Sequence, residues 1–238
     1  MYVIAILSLK GGVGKTTLAT NLAAAAHLRG QATILVDLDR QGSSLDWGSA
    51  RQENSKLAGL AVSKHDRAFS RARLLELAAG RDIAVLDGPP WTGDQSSAAA
   101  VAADIVVIPV TPGPFDLWAT HETLAELDRA DAIREQFGRG PVRRLFVANR
   151  CAPRTVLARS AREAMAARGE VAETSISHRV AYPEAASIGE SVLTTDPKGA
   201  AAAEVLKLFK EIMPATAAPA PAAKPASGGA RKKGRGQA

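Results

Sequence analysis

Cysteine is almost missing from this chain: Cys151 stands alone among 238 residues. That excludes an internal disulfide framework and any cluster that needs several thiolates, and it makes a reducing cytoplasm the expected compartment. Cys151 follows an apolar run and reads as a small buried residue. Histidine is scarce as well, and His27, His65, His121 and His178 lack metal-ligand spacing, so they read as ordinary helix or loop residues. No apolar run approaches the roughly 18–20 residues of a membrane span. The apolar segment at the start is short and has no basic residues before it, so a strand is expected there rather than a leader. Internal repeats are missing too. Acidic residues stop at Glu211; beyond it lie Lys224, Arg231, Lys232, Lys233 and Arg235, so most of the formal charge of +6 belongs to the tail.

With 46% hydrophobic side chains, the chain suffices for one α/β domain that buries about 70–75% of its unfolded surface, and a second full domain is not expected. Short β-branched runs alternate with helical patterns, which is the order of βαβ units around a parallel sheet. Strands are predicted at 2–8, 32–37, 83–87, 104–110 and 143–148, each apolar enough to be covered on both faces. Helices are predicted at 16–29, 115–137 and 155–168, stopped by Gly30, Gly138 and Gly169, and at 200–213, stopped by Pro214. The expected fold is α/β, a mostly parallel twisted sheet flanked by helices on both faces. Residues 1–213 form the domain, and 214–238, rich in Ala, Pro, Lys and Arg, are expected to be a disordered basic tail.

The run Lys10-Gly11-Gly12-Val13-Gly14-Lys15-Thr16-Thr17 directly follows the first apolar strand. Glycines at three positions let backbone N–H groups converge on phosphate oxygens, and a helix beginning near Lys15 aims the positive end of its dipole at the same anion. Lys15 supplies a point charge for the β- and γ-phosphates and Thr16 a hydroxyl for Mg²⁺, so the loop predicts a nucleoside triphosphate site. It departs from the common G-x-x-x-x-G-K-[ST] pattern at Leu9, which replaces the first glycine, and at Lys10, a second lysine inside the loop. Parallel-sheet logic adds Asp39 and Asp87, because each follows the carboxyl end of a predicted strand, where ligands bind in open α/β folds.

This loop resembles the deviant Walker A motif of the ParA/MinD family of P-loop ATPases, which position plasmids, chromosomes and other cargo in bacteria. Asp37-Leu38-Asp39-Arg40-Gln41-Gly42-Ser43-Ser44 is similar to the family's second motif, with Arg40 where proline is common. Ile83-Ala84-Val85-Leu86-Asp87-Gly88-Pro89-Pro90 is similar to its Walker B strand and turn, with Gly88 where Thr or Cys is frequent. Val106-Val107-Ile108-Pro109-Val110-Thr111-Pro112 and Tyr182-Pro183-Glu184-Ala185 match further family segments in order.

The resemblance implies roles. ATP with Mg²⁺ is the expected cofactor pair, held by Gly11, Gly12, Val13, Gly14, Lys15, Thr16 and Thr17, with Thr16, Asp39 and Asp87 on the metal side. Asp39 is the candidate for orienting the attacking water. Asp37 takes either a supporting role or none beyond its own turn. Asn149, with Arg150 beside it, stands where the family places an amide facing the adenine edge; an amide carries the donor and acceptor pair that such an edge needs. Lys10 is either a solvated loop lysine or, as in the family, a cation delivered across a dimer to the partner's nucleotide, where it stabilises charge developing in hydrolysis. Trp47 reads as packing.

The function expected from this resemblance is a small ParA-type partition or positioning ATPase of the cytoplasm, associated with the nucleoid. It would hydrolyse ATP slowly without a partner, form an ATP-sandwich homodimer, bind DNA non-specifically and be reset by a cargo- or centromere-binding protein. Because residue 2 already begins a strand, sequence-specific operator binding through a preceding helix-turn-helix is not expected. Arg139, Arg143, Arg144, Arg150, Arg154, Arg159, Arg162, Arg168 and Arg179 are candidate phosphate contacts, or else solvated helix faces. The second reading is a MinD-like membrane-surface regulator anchored through residues 205–213, against which the basic tail offers no bulky apolar residue to insert. A third, a metabolic enzyme of the same superfamily, lacks a substrate motif.

Overall fold

The computed structural model describes residues 1–65, 69–90, 93–152 and 155–214, with backbone alone for 114–119. The first strand, β1 (Tyr2–Ile6), runs through the phosphate loop into α1 (Lys15–His27). There follow β2 (Thr33–Asp37), α2 (Ser43–Ser49), β3 (Ala61–Lys64), α3 (Arg71–Leu77), β4 (Ile83–Asp87), α4 (Asp94–Ala102) and β5 (Ile105–Val110). The second half contains α5 (Pro114–Gln136), β6 (Arg143–Ala148), α6 (Val156–Ala166), β7 (Glu170–Val171), α7 (Ala181–Ser187), α8 (Val192–Thr195) and α9 (Ala200–Ile212).

The strands form one seven-stranded sheet in the order β3-β2-β4-β1-β5-β6-β7, all parallel. Alternate side chains along each strand serve different layers, as the twofold pleat requires. Ile4, Ile6, Leu35, Val85, Val107 and Val147 join one core with α1, α8 and α9. Val3, Ala5, Val36, Leu86, Val106 and Phe146 join the other, with residues of α3, α4, α5 and α6. Both faces are therefore covered, and the central strands read as continuous apolar runs for that reason. Alanines dominate the buried side of α1, where Ala23, Ala24, Ala25 and Ala26 lie in the core and small side chains let the helix sit close to the sheet.

Every predicted strand is present within two residues, and α1, α5, α6 and α9 lie where the pattern places them. The strands that the pattern passed over are β3 and β7, the two edges of the sheet. The first is half-buried and carries Ser63 and Lys64, and the second has only two residues, so neither makes an apolar run. The predicted disordered tail falls on 215–238, outside the described residues, and Arg154 lies outside them too. Cys151 is buried as expected, and burial, with the charge of Glu204 adding to it, pushes its thiol up to about 11.

Candidate nucleotide site

Parallel register puts the chemistry on one level. Ile6, the last residue of β1, pairs with Asp87, and Asp37 at the end of β2 pairs with Asp87 from the other side. The loop after β1, the two acids and the start of α1 thus meet at the carboxyl edge of the sheet. A cleft of about 430 Å³ opens there. Gly11, Gly12, Gly14, Lys15, Thr16 and Thr17 line one half, faced by Asp39, Ser43 and Pro90; Asn149, Arg150 and residues from Ile176 to Ala186 line the other.

Within the loop, Gly12 and Gly14 adopt φ of 75° and 91°. At Gly14 the requirement is double, because a Cβ there would also collide with the Asn149 amide nitrogen. That amide donates to the Val13 carbonyl at 2.6 Å, and Arg150 donates to the Gly12 carbonyl at 2.7 Å, so the end of β6 braces the phosphate loop from the side. Asn149 therefore has a structural duty that its sequence position does not reveal, while it still lines the cleft. Arg150 holds φ at 54°, left-handed backbone that a non-glycine residue seldom adopts.

Lys15 is buried and donates to the Lys10 carbonyl at 3.2 Å. Its pKa is lowered by burial, against the pull of the Asp87 and Asp39 charges. Lys10 is half-exposed and is not among the residues lining the cleft. The second lysine and the first thus face different surroundings from one short loop.

Asp87 is the most perturbed acid at this edge. Its Oδ2 accepts from the hydroxyls of Thr16 and Ser44, each at 2.7 Å, and its Oδ1 is buried with no hydrogen-bond partner. Burial raises its pKa to about 7; the two hydroxyls oppose that, Asp37 adds to it and Lys15 opposes it. A buried carboxylate oxygen without a donor, beside a threonine hydroxyl, suits a hard divalent cation, so Thr16 and Asp87 are the pair that would hold Mg²⁺. When bound, Mg²⁺ supplies charge neutralisation to the phosphates. Asp39 is a different case. It lines the cleft, where its Oδ1 accepts from Gln41 N–H at 3.1 Å, and the structure brings it close to Lys15 but shows no hydrogen bond to Asp87 or Thr16. Asp37 is fully buried and accepts backbone N–H groups from Asp39, Ser44 and Leu45 at 2.8–3.0 Å. It builds the turn that carries Asp39 and Ser44.

Gly88 has no room for the hydroxyl residue frequent in relatives. A Cβ there would strike the Leu7 side chain and approach the Ile6 carbonyl to 2.9 Å. Sequence reasoning also left Ser44 without a role, although its adjacent Ser43-Ser44 pair follows the second acidic motif. It found Tyr182 and Pro183 only as a matching segment, and it missed Ser177 and Arg179 as cleft residues.

A family model for the CobQ/CobB/MinD/ParA nucleotide-binding domain matches residues 4–192. The chain belongs to this family. Among curated relatives, a maintenance of carboxysome distribution protein A from Halothiobacillus neapolitanus is 30% identical over 219 residues, covering 90% of this chain and 97% of that protein. The chromosome-partitioning ATPase Soj of Thermus thermophilus is 31% identical over 240 residues, covering 88% and 94%. Among solved structures, the ATP complex of McdA from Cyanothece superposes with a TM-score of 0.69 at 18% identity, covering 89% of this chain and 94% of that one. That fold is thus the setting for Lys15, Thr16 and Asp87 at the carboxyl edge of the sheet.

Proposed function

We propose that the chain is a ParA-type positioning ATPase that binds ATP with Mg²⁺, pairs through the bound nucleotide, holds DNA non-specifically and is reset when a partner protein stimulates hydrolysis. The observation that carries this reading is the split between two lysines of one loop. Lys15 is buried in the cleft among acids, whereas Lys10 is half-exposed and outside the lining of that cleft, and we assign it to a second protomer's phosphates. Asp39, on the wall opposite the loop, is the residue we assign to the attacking water. Relatives named for carboxysome distribution and for chromosome partitioning match at 30% and 31% identity, so the proposal commits to positioning and leaves the cargo to the partner.

Most of the candidate arginines have partners within the fold. Arg143 is paired with Glu170, Arg144 with Asp128 and Asp131, and Arg179 with Glu204. Arg139, Arg162 and Arg168 donate to backbone carbonyls. These arginines hold the fold together, which leaves Arg159 on the exposed face of α6 and Lys207 and Lys210 on α9 as better phosphate contacts, with the tail adding salt-sensitive affinity. The membrane reading loses its one support, because Val205, Leu208, Phe209 and Ile212 of α9 are packed in the core.

The test is retention on non-specific duplex DNA at near-physiological salt, with ATP and with ADP, using the Asp39→Ala chain shortened to residues 1–213. Retention with ATP alone is expected. Equal failure with both nucleotides overturns a nucleotide-gated nucleoid ATPase.

A further inference from the structure

The nucleotide cleft is built from two halves that meet where Asn149 and Arg150 bond to the Val13 and Gly12 carbonyls. Its phosphate half hangs on β1 and α1. Its other half includes the segment from Ile176 to Ala186, which runs from the loop after β7 into α7. On its inner side that stretch is tied to the sheet: Ile176 N–H donates to the Ala148 carbonyl at 2.9 Å and His178 N–H to the Cys151 carbonyl at 3.0 Å. Its outer side is held by two carboxylates of α9.

Those carboxylates, Glu204 and Glu211, are seven residues apart and so lie on one face of the helix. Glu204 Oε2 accepts from Ser177 N–H at 3.1 Å and from the Tyr182 hydroxyl at 3.4 Å. Its Oε1 accepts from the Ser177 hydroxyl at 2.8 Å and from Arg179 Nη2 at 2.8 Å and Nε at 3.2 Å. All three donor residues line the cleft, and Glu204 does not. Glu211 accepts from Glu173 N–H at 2.6 Å, from Thr174 N–H at 3.0 Å and from the Thr174 hydroxyl, and neither of those residues lines the cleft. One carboxylate therefore reaches the cleft wall through its partners, while its neighbour two turns along holds the same stretch without touching that wall.

We propose that Glu204 is a positioning residue for the nucleoside half of the site, fixing Ser177, Arg179 and Tyr182 from behind while leaving the phosphate half untouched. The proposal rests on the nucleotide reading of the cleft. Five hydrogen bonds converge on one carboxylate, two of them from a guanidinium that would otherwise be released to solvent or swing into the cleft. Burial alone would push the Glu204 carboxyl up; Arg179 and the Ser177 N–H and hydroxyl outweigh it and hold the group ionised. Among the described residues no hydrogen bond joins Lys15 Nζ, the Thr16 hydroxyl or the Asp87 carboxylate to this network, so base-side and phosphate-side affinity should respond separately.

The experiment compares binding of Mg²⁺-ADP and Mg²⁺-pyrophosphate by calorimetry to the full chain, unaltered and as Glu204→Gln, Glu211→Gln and Ser177→Ala. Losing charge-assisted hydrogen bonds predicts that Glu204→Gln weakens ADP about tenfold with pyrophosphate changed less than about twofold. Glu211→Gln should melt earlier yet leave both affinities within about twofold. Should Glu204→Gln fail to fold, Ser177→Ala carries the same comparison, with ADP weakened about threefold. Unchanged ADP affinity, a parallel fall of ADP and pyrophosphate, or an equal ADP loss in Glu211→Gln overturns the proposal. An unaltered chain that binds neither probe overturns the nucleotide reading itself.

Discussion

At the scale of single residues, Asp87 shows how a site trades stability for readiness. A carboxylate with one oxygen buried and undonated is costly to the ligand-free fold, and the same oxygen is what a cation would use. Asp87→Asn should therefore raise the melting temperature of the nucleotide-free protein by about 2–4 °C while abolishing Mg²⁺-dependent nucleotide binding, as read by calorimetry and thermal melts. The pH dependence follows with a definite sign. The folded carboxyl titrates at about 7, above its unfolded value, so the folded state holds a proton that the unfolded chain has already released. This contribution is complete below pH 4, diminishes as pH rises through 7 and then levels off. Melting midpoints between pH 5.5 and 8 should fall more steeply for the unaltered chain than for Asp87→Asn, and parallel curves would refute the assignment. Gly88 makes a second point at this scale. Gly88→Thr should destabilise by about 1–3 kcal/mol because Leu7 fills the space, and shortening Leu7 to Ala in the same chain should recover part of that loss, which a denaturant titration of the double variant would show.

Elements were legible in proportion to how local their causes are. The phosphate loop announces itself because glycines, lysine and threonine must be adjacent to do their work, and Asp87 because it ends a strand that is apolar throughout. The edge strands β3 and β7 are short and half-exposed, so pairing rather than composition makes them strands. Glu204 lay beyond reach for a related reason: its partners are 22 to 27 residues away, and nothing in a glutamate on a terminal helix says which loop it faces. For the arginines between 139 and 179 the limit was of another kind, because a count of charges does not say which are already paired, as Arg144 and Arg179 are. For α9 the amphipathic pattern was visible but its destination was not. Membrane anchors and closing helices share that pattern, and only the packing of Leu208 and Phe209 against the α1 layer separates them. Leu208→Ala should accordingly cost about 2–5 kcal/mol in urea unfolding, as a core position does. An anchor residue exposed to solvent would show no such loss.

For the whole molecule, the proposed function asks what would couple one protomer's nucleotide to a second protomer and to DNA. A triphosphate with Mg²⁺ remains anionic; Lys15 would meet it from within the cleft, at the cost of its own burial, while Arg150 and Arg179 of the same lining are engaged by the Gly12 carbonyl and Glu204. A further cation from outside would both neutralise that charge and report that the γ-phosphate is present, since ADP offers less to attract it. Lys10 is placed for this by a loop whose geometry is fixed on both sides, by Asn149 and Arg150 from β6 and by Lys15 beneath. Lys10→Gln should therefore leave monomeric ATP affinity nearly unchanged. In light scattering with ATP, the Asp39→Ala chain should run as a dimer and the Lys10→Gln, Asp39→Ala chain as a monomer. DNA retention should follow dimerisation rather than nucleotide affinity, because pairing doubles the number of basic contacts on one duplex and each released counterion adds to a steep salt dependence. If the double variant still dimerises with ATP, the lysine acts within its own protomer, and the coupling between nucleotide and DNA must run through another part of the cleft wall.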